Sequence, residues 1–172
     1  KHSIASFTAD LNSQPCTWKE WNAAATFASQ KKAYDEALTF AEQSITMNAN
    51  MTNMMAKVGI LKAMGDEKTA KKIKAEAIAK GSNAELNNYG YQLMFGGKID
   101  KAVAIFEANA EKNPQDPNVW DSLAEGYKNQ GEKEKAIKAC KKSLSLNPPA
   151  NVKANTMKTL AELGVDVENM EP

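Results

Sequence analysis

Residues 86–148 read LNNYGYQLMFGGKIDKAVAIFEANAEKNPQDPNVWDSLAEGYKNQGEKEKAIKACKKSLSLNP and contain one pattern twice. Gly97 is followed by Gly131, and Pro114 by Pro148, at the same interval along the chain. A constant period of this length, about 34 residues, is typical of helical repeats. Apolar residues recur at steps of three and four before and after each glycine, which predicts two amphipathic helices joined by a tight turn. Each copy is therefore interpreted as a helical hairpin.

The second copy, residues 117–150, shows why the pattern needs these residue types. Trp120, Leu123 and Tyr127 lie at i, i+3 and i+7, so they share one helix face and are predicted to fill the seam between the two helices. Small residues at Ala124 and Ala136 allow the helices to approach closely. The glycine permits the turn and the final proline ends the second helix.

The same residues resemble the tetratricopeptide repeat family. Trp120 takes the family's fourth position, Leu123 the seventh, Ala124 the eighth, Tyr127 the eleventh and Ala136 the twentieth. The resemblance implies an all-α fold, a right-handed α-α superhelix of about four such hairpins. It also implies a leading helix and a C-terminal capping helix, which cover the open ends of the stack.

The pattern is weaker in the first half of the chain. Residues 17–51 and 52–83 are interpreted as repeats one and two, followed by repeats three (84–116) and four (117–150). Lys32 stands where repeat one should carry its turn glycine. The interval between repeats one and two differs by one position according to which of their helices is aligned. We therefore expect an altered turn in repeat two.

Both ends of the chain carry a single amphipathic stretch. Ile4, Phe7 and Leu11 share one helical face, which predicts a leading helix within residues 1–16. A second stripe predicts a capping helix within residues 151–172, ahead of a short tail, and comprises Val152, Thr156, Leu160 and Leu163. The whole chain, residues 1–172, is expected to form one domain.

Composition excludes several classes of function. The formal net charge is +1, and all 22 basic residues are lysines, so the side chain best suited to bidentate contact with phosphate or guanine is missing. This argues against nucleic-acid binding. No apolar run reaches the length that a membrane span needs, so no membrane insertion is expected. Because the chain opens on Lys1 rather than Met, it is interpreted as a piece of a longer protein.

The chain also lacks the parts of a catalytic site. Its only histidine is His2, close to the terminus, so neither a Ser-His-Asp arrangement nor a histidine metal site can be assembled in the core. Gly96, Gly97 and Lys98 are interpreted as a helix turn, because no strand precedes them and Ile99 replaces the Ser or Thr of a phosphate loop. We expect no cofactor, no metal and no enzymatic activity.

The family resemblance implies a concave groove lined by the first helices of successive hairpins. Carried over to this sequence, the groove positions are Asn22, Thr26, Ser29, Ala56, Ile60, Ala63, Asn87, Tyr91, Met94, Asp121, Glu125 and Lys128. The predicted partner-binding residues are Asn22, Thr26, Ile60, Asn87, Tyr91, Met94, Asp121 and Glu125. Asn amides pair with peptide backbone and Tyr offers an apolar ring with a polar tip, so an extended peptide or a partner domain fits this surface. The alternative is a structural appendage that packs on, or oligomerises, a larger parent protein.

A narrower resemblance rests on residues 16–24, CTWKEWNAA, followed by Ala37-Leu38 and Met47-Asn48. This stretch is similar to the carboxy-terminal helical tail of bacterial cell-envelope proteins that carry an amino-terminal β domain of unassigned function. The resemblance implies a periplasmic or cell-envelope location and a further domain upstream. A cytoplasmic location is the alternative.

Overall fold

The computed structural model describes residues 4–13 and 15–167, and every regular element among them is an α-helix. This confirms the predicted all-α fold. In this part of the chain ten helices follow in order: α1 (Ile4–Ser13), α2 (Trp18–Gln30), α3 (Tyr34–Met47), α4 (Met51–Ala63), α5 (Glu67–Lys80), α6 (Asn83–Phe95), α7 (Ile99–Lys112), α8 (Pro117–Gln130), α9 (Lys133–Ser145) and α10 (Ala150–Glu162).

The helices pair as four hairpins, α2 with α3, α4 with α5, α6 with α7 and α8 with α9. The leading helix α1 packs on α2, and the capping helix α10 packs on both α8 and α9. The chain divides into two compact units between Gly81 and Ser82. The N-terminal unit contains α1 to α5 and the C-terminal unit α6 to α10, and each is described by itself below.

The first helix of each hairpin begins at a strong N-cap. In three hairpins the N-cap side chain accepts a hydrogen bond from a backbone N–H in the first turn of the helix. The side chain of the third helical residue in turn accepts a hydrogen bond from the backbone N–H of the N-cap residue. These N-cap residues are Thr17, Asn50 and Ser82. Before α8, Asp116 caps the backbone N–H of Asn118, and a proline takes the first helical position. These local signals fix where each hairpin starts.

Each first helix ends in the same turn, and so does α10. A residue with positive φ follows the helix, and the backbone N–H of the residue after it donates to the carbonyl five residues earlier. In the fourth hairpin, for example, the Glu132 N–H donates to the Tyr127 carbonyl at 2.9 Å. The turn residues are Lys32, Gly65, Gly97, Gly131 and Gly164. The sequence therefore placed the turns correctly, but the altered turn expected in repeat two is wrong, because Gly65 (φ 88°) matches the others.

The irregular spacing lies elsewhere. Both helices of the second hairpin start one position earlier than the period of repeats three and four would place them, at Met51 and Glu67. The third hairpin then starts two positions early relative to the second. Just two residues join α5 to α6, whereas four join α7 to α8. If the period of the later repeats is counted from repeat one, it therefore misplaces the residues of α4 by one position.

The core of the N-terminal unit is built from small residues where helices cross. Ala25, Ala37 and Ala41 are fully buried, and Phe40 packs among them. Leu11 joins this cluster from α1, as predicted, while the side chain of Phe7 lies outside the described part of the structure. Met51 and Met54 of α4 are also buried in the core.

The core of the C-terminal unit centres on Phe106 of α7, which is fully buried. Leu86 of α6, Val119 of α8 and Leu160 of α10 are buried beside the helix crossings. Of the three residues expected to fill the seam of the fourth hairpin, only Leu123 is buried. Trp120 and Tyr127, the other two, stay half-exposed.

Candidate functional site

The first helices of the C-terminal unit, α6 and α8, and the capping helix α10 each place polar side chains around one shallow pocket of about 180 Å³. We call it the Tyr91 pocket. Its lining residues are Tyr91, Asp121, Glu125, Lys128, Asn155, Lys158, Thr159 and Glu162. The structure thus brings together three of the predicted partner-binding residues: Tyr91, Asp121 and Glu125.

Tyr91 links α6 to α8 through its hydroxyl. The Tyr91 O–H donates to Glu125 Oε2 at 2.9 Å, and Ser122 Oγ lies 3.3 Å away. The ring packs edge-on against Phe106, with 5.2 Å between ring centroids. Burial, reinforced by the negative charge of Glu125, raises the pKa of Tyr91. The phenol is therefore a fixed hydrogen-bond donor with its ring held against the core.

Phe95 lies one helical turn beyond Tyr91 and is 81% exposed. The two rings stack with centroids 5.9 Å apart and an interplanar angle of 26°. Our reading of the sequence did not single out Phe95, although its i+4 spacing from Tyr91 is visible there. An exposed phenylalanine beside a charged pocket is unusual, because burying its ring would gain free energy.

Asp121 lies deeper than predicted. It is only 8% exposed, and the hydroxyl of Thr156, on α10, lies 2.6 Å from its Oδ1. Burial raises the pKa of Asp121, against the opposing effect of the Thr156 hydrogen bond. Asp121 therefore joins α8 to α10 and presents little surface to the pocket. Glu125, one turn later, is the more accessible carboxylate.

Glu162, the third carboxylate of the pocket, forms ion pairs with two lysines. Lys128 Nζ lies 2.6 Å from Glu162 Oε2, and Lys158 Nζ lies 3.9 Å from Glu162 Oε1. The hydrogen bond from Lys128 lowers the pKa of Glu162. No ion pair to Glu125 is found in the described part of the chain. Glu125 is thus a pocket carboxylate that has no ion-pair partner among the described residues.

Two of the three predicted residues of the N-terminal unit, Thr26 and Ile60, line a separate groove of about 180 Å³ between α2 and α4. Thr26 is exposed there. Ile60 is only 2% exposed and packs in the core. The one-residue shift on α4 explains this, because Gly59 takes the position equivalent to Thr26. The groove is lined by Thr26, Ser29, Gln30, Met55, Ala56, Gly59 and Ile60.

The remaining predicted residues are Asn22, Asn87 and Met94. Met94 is 6% exposed and belongs to the core, so it presents little surface to a partner. Asn22 and Asn87 occupy the same position in their helices, fifth from the start. Both are half-buried, and the Oδ1 atom of each is buried without a hydrogen-bond partner. Neither asparagine lines a described pocket.

The described residues hold no group of three or more His, Cys, Asp or Glu arranged for a metal ion. Within the same part of the chain, no helix combines the length and apolar character needed to cross a bilayer. What the Tyr91 pocket offers is a set of hydrogen-bonding and charged groups beside two stacked aromatic rings. Such a set can hold a ligand, but it contains no nucleophile paired with a base.

The architecture is that of a helical-repeat protein built from two-helix units. Residues 117–150, which contain the fourth hairpin, match the model of the tetratricopeptide repeat family. A comparison with curated protein sequences gave no significant match. Folds of this repeat type generally serve as protein-interaction modules.

Solved structures with a similar course of the chain include two proteins of this repeat class. One is MamA, residues 41 to the end, from Desulfovibrio magneticus RS-1, with 16% identity, a TM-score of 0.49 and 84% of each chain covered. Another is YrrB, described as a tetratricopeptide repeat protein with an unusual peptide-binding site, with 16% identity and a TM-score of 0.49. That similarity covers 96% of this chain and 88% of YrrB.

Proposed function

We propose that this protein is a non-enzymatic binding module and that its Tyr91 pocket receives a basic side chain of an extended peptide. The observation that carries the proposal is the exposed Phe95 ring, stacked on Tyr91, whose hydroxyl is hydrogen-bonded to Glu125. Tyr91 connects an aromatic surface to a carboxylate, because its ring stacks on Phe95 at the end of α6 and its hydroxyl donates to Glu125 on α8. This pair suits a Lys or Arg side chain.

The charges around the pocket support a cationic ligand. Glu162 is neutralised by Lys128 and Lys158, and Asp121 is buried against Thr156. Glu125 forms no ion pair with a described residue, and its side chain accepts the hydrogen bond from the Tyr91 hydroxyl. A guanidinium or ammonium group placed here gains both a charge-assisted hydrogen bond and attraction to an aromatic face.

The polar face of α6 supports recognition of an extended backbone. Asn87 lies one turn before Tyr91, and Phe95 one turn after it, so the three share one stripe. The Asn87 side chain is half-buried and its Oδ1 is unpaired. The N–H groups of a primary amide can donate to a peptide carbonyl. A ligand running along α6 would thus meet an amide, then the phenol and finally the exposed ring.

The test uses short unstructured peptides that carry one central Lys or Arg, with a matched peptide carrying Glu, measured by isothermal titration calorimetry against the full chain. Phe95→Ala and Glu125→Gln should each lower the affinity for the basic peptides about fivefold or more. Both residues lie at the surface, so neither change should prevent folding. Met64→Ala removes another exposed apolar side chain and Glu111→Gln another exposed carboxylate, and both should bind normally.

Equal affinity for the Lys and Glu peptides would contradict the proposal, as would binding that survives both variants. Sedimentation of the free chain addresses the structural alternative. If the chain self-associates and Phe95→Ala dissolves the assembly, the exposed ring is an oligomer contact and the binding proposal fails. A monomer that binds the basic peptides is the expected result.

A further inference from the structure

A second groove in the C-terminal unit lies between α8 and α9 and shares no lining residue with the Tyr91 pocket. It has a volume of about 480 Å³. We call it the Trp120 groove, and it is lined by Trp120, Leu123, Tyr127, Lys135, Lys138, Ala139 and Lys142. We propose that the Trp120 groove docks an acidic peptide segment that carries large apolar side chains. This inference does not depend on the function proposed for the Tyr91 pocket.

The floor of the groove is apolar. Trp120, Leu123 and Tyr127 follow one face of α8 over about 10 Å, two turns of helix. The indole Nε1–H of Trp120 donates to the Pro114 carbonyl at 2.9 Å, and the Tyr127 hydroxyl donates to Glu107 at 2.6 Å. The polar atoms of both rings are therefore satisfied within the protein. What each ring presents to the groove is apolar surface.

The small side chain of Ala139 gives the groove its depth. It lies on α9, opposite the aromatic floor, and is 4% exposed. Its neighbours one turn away on either side are long, because Lys135 and Lys142 lie at i−4 and i+3. Leu or Phe side chains of a ligand can thus enter between lysine stems, which cover apolar surface while their ammonium groups stay in water.

The rim of the groove is positively charged. Lys135 already has partners within the protein, since its Nζ lies 3.3 Å from Glu132 Oε2 and 5.6 Å from the centre of the Tyr127 ring. Lys138 and Lys142 form no ion pair with any described residue. No carboxylate lines the groove, and the nearest contact to one is the hydrogen bond from Tyr127 to Glu107. Complementarity therefore favours a ligand with carboxylates on both sides of its apolar residues.

A peptide fits these observations better than a polyanion such as nucleic acid. The chain has no arginine and a net charge of only +1, so a polyanion would find little attraction beyond the two unpaired lysines. It would also leave the aromatic floor uncovered. Buried aromatic side chains contribute much of the energy of protein interfaces, and a surrounding rim of charge gives specificity.

The experiment measures fluorescence anisotropy of three labelled probes with the full chain: a short acidic peptide containing Leu and Phe, the same peptide with each Glu replaced by Lys, and polyglutamate. Only the first should bind. The double variant Lys138→Glu, Lys142→Glu should weaken that binding at least about tenfold. The control is Lys141→Glu with Lys153→Glu, which changes the net charge equally at exposed positions outside the groove and should bind as the natural chain does.

A second readout is the quenching or shift of tryptophan emission. Trp120→Phe should remove the change that the acidic apolar peptide causes, whereas Trp18→Phe and Trp21→Phe should retain it. Several outcomes would overturn the proposal: equal binding of polyglutamate, an equal loss in the control variant, or tighter binding of duplex DNA than of the peptide. A dimer in sedimentation that Lys138→Glu with Lys142→Glu breaks would assign the groove to a second copy of this chain, which also overturns it.

Discussion

The ring of Phe106 fills the space that a side chain at Gly90 would occupy. A Cβ built on Gly90 would lie 2.7 Å from Cδ1 and 2.8 Å from Cζ of the ring. On the other side, a Cβ on Gly126 would lie 2.9 Å from Cδ2. Phe106 therefore lies between glycines of α6 and α8, and the same ring contacts Tyr91 edge-on. The position of Tyr91 depends on this close packing.

Gly90→Ala should destabilise the protein by about 1–3 kcal/mol, because Phe106 is fully buried and its ring has no space to move. Thermal and urea unfolding followed by circular dichroism would measure the loss. Replacing Phe106 with Leu in the same chain should recover part of it, since the smaller side chain leaves room for the new methyl group. A double-mutant cycle isolates that coupling.

Gly59→Ala is the matched control for this substitution. Gly59 also lies within a first helix, but no atom lies within 4 Å of a Cβ built there. Alanine should stabilise α4 by about 0.5–1 kcal/mol, because glycine loses more conformational freedom on folding. If both variants changed stability in the same direction, the packing assigned to Gly90 would be wrong.

Ser44 joins three segments of the N-terminal unit. Its hydroxyl donates to the Trp18 carbonyl at 2.7 Å and accepts from Asn53 Nδ2 at 3.0 Å. Asn109 and Ser143 make the same bond to the first residue of their own hairpins, Asn83 and Pro117, so this is a recurring link between paired helices. The second hairpin has the small, buried Ala77 at the equivalent position.

Ser44→Ala should cost about 1–3 kcal/mol, because the Trp18 carbonyl loses its side-chain partner inside the protein and Asn53 loses one of its acceptors. Ser145→Ala removes an exposed hydroxyl that donates to the nearby Lys142 carbonyl, and it should change the free energy of unfolding by less than about 0.5 kcal/mol. Urea titrations of both variants provide the comparison. Equal small effects would show that the buried bond contributes nothing.

The repeating part of the fold could be predicted from the sequence, because repetition marks what every hairpin needs. Gly97 and Gly131 take positive φ at the predicted turns, and Ala124 and Ala136 are fully buried at the helix crossings. The constant period identified them since each role recurs with the same residue type. The period fails on α4, because the intervals on both sides of the second hairpin are shorter, and Ile60 was misplaced by one position.

The candidate site could be predicted only in part, since binding surfaces are where repeats differ. Tyr91 and Glu125, chosen by family position, line one pocket, and their hydrogen bond joins equivalent helices of successive hairpins. The burial of Asp121 could not be predicted from the repeat pattern, because Thr156, its partner, lies on α10, outside the four hairpins. Phe95 carries no repeat signal at all. Its importance appears only when the structure shows an exposed ring stacked on Tyr91.

Asp121 should make stability depend on pH in a definite direction. Its pKa is raised in the folded protein, mainly by burial, so folding favours the protonated carboxyl. The stability that the neutral form provides is fully present below the ordinary pKa of 3.8 and is lost as the pH rises through the raised pKa. Asp121→Asn should therefore match the natural chain in acid and be the more stable of the two at neutral pH.

Melting temperatures of both chains across this pH range would check the prediction. Exposed Asp35→Asn serves as the control for loss of one carboxyl group elsewhere. The asparagine at 121 can still accept a hydrogen bond from Thr156, so the two chains should differ in charge alone. A lower melting temperature of Asp121→Asn at neutral pH would mean that the bond from Thr156 to a carboxylate outweighs the cost of burying the charge.

Lys32 is a non-glycine residue at the turn position where the other three hairpin turns carry glycine. Its φ is 61°, in the left-handed region that costs an L-residue about 1–2 kcal/mol. Lys32→Gly removes this strain but adds freedom to the unfolded chain, at a cost of about 0.5–1 kcal/mol. We expect a net stabilisation of up to about 1 kcal/mol in thermal unfolding.

Its neighbour Lys31 provides the control, because Lys31 has a φ of −83° and gains no relief from glycine. Lys31→Gly should instead destabilise the protein by about 0.5–1 kcal/mol, through chain entropy and through loss of the contact between its ammonium group and the Phe27 ring. Both lysines are exposed and carry the same charge, so the two variants differ mainly in backbone conformation. Opposite signs for two adjacent Lys→Gly changes are therefore expected, and equal signs would contradict the left-handed turn at Lys32.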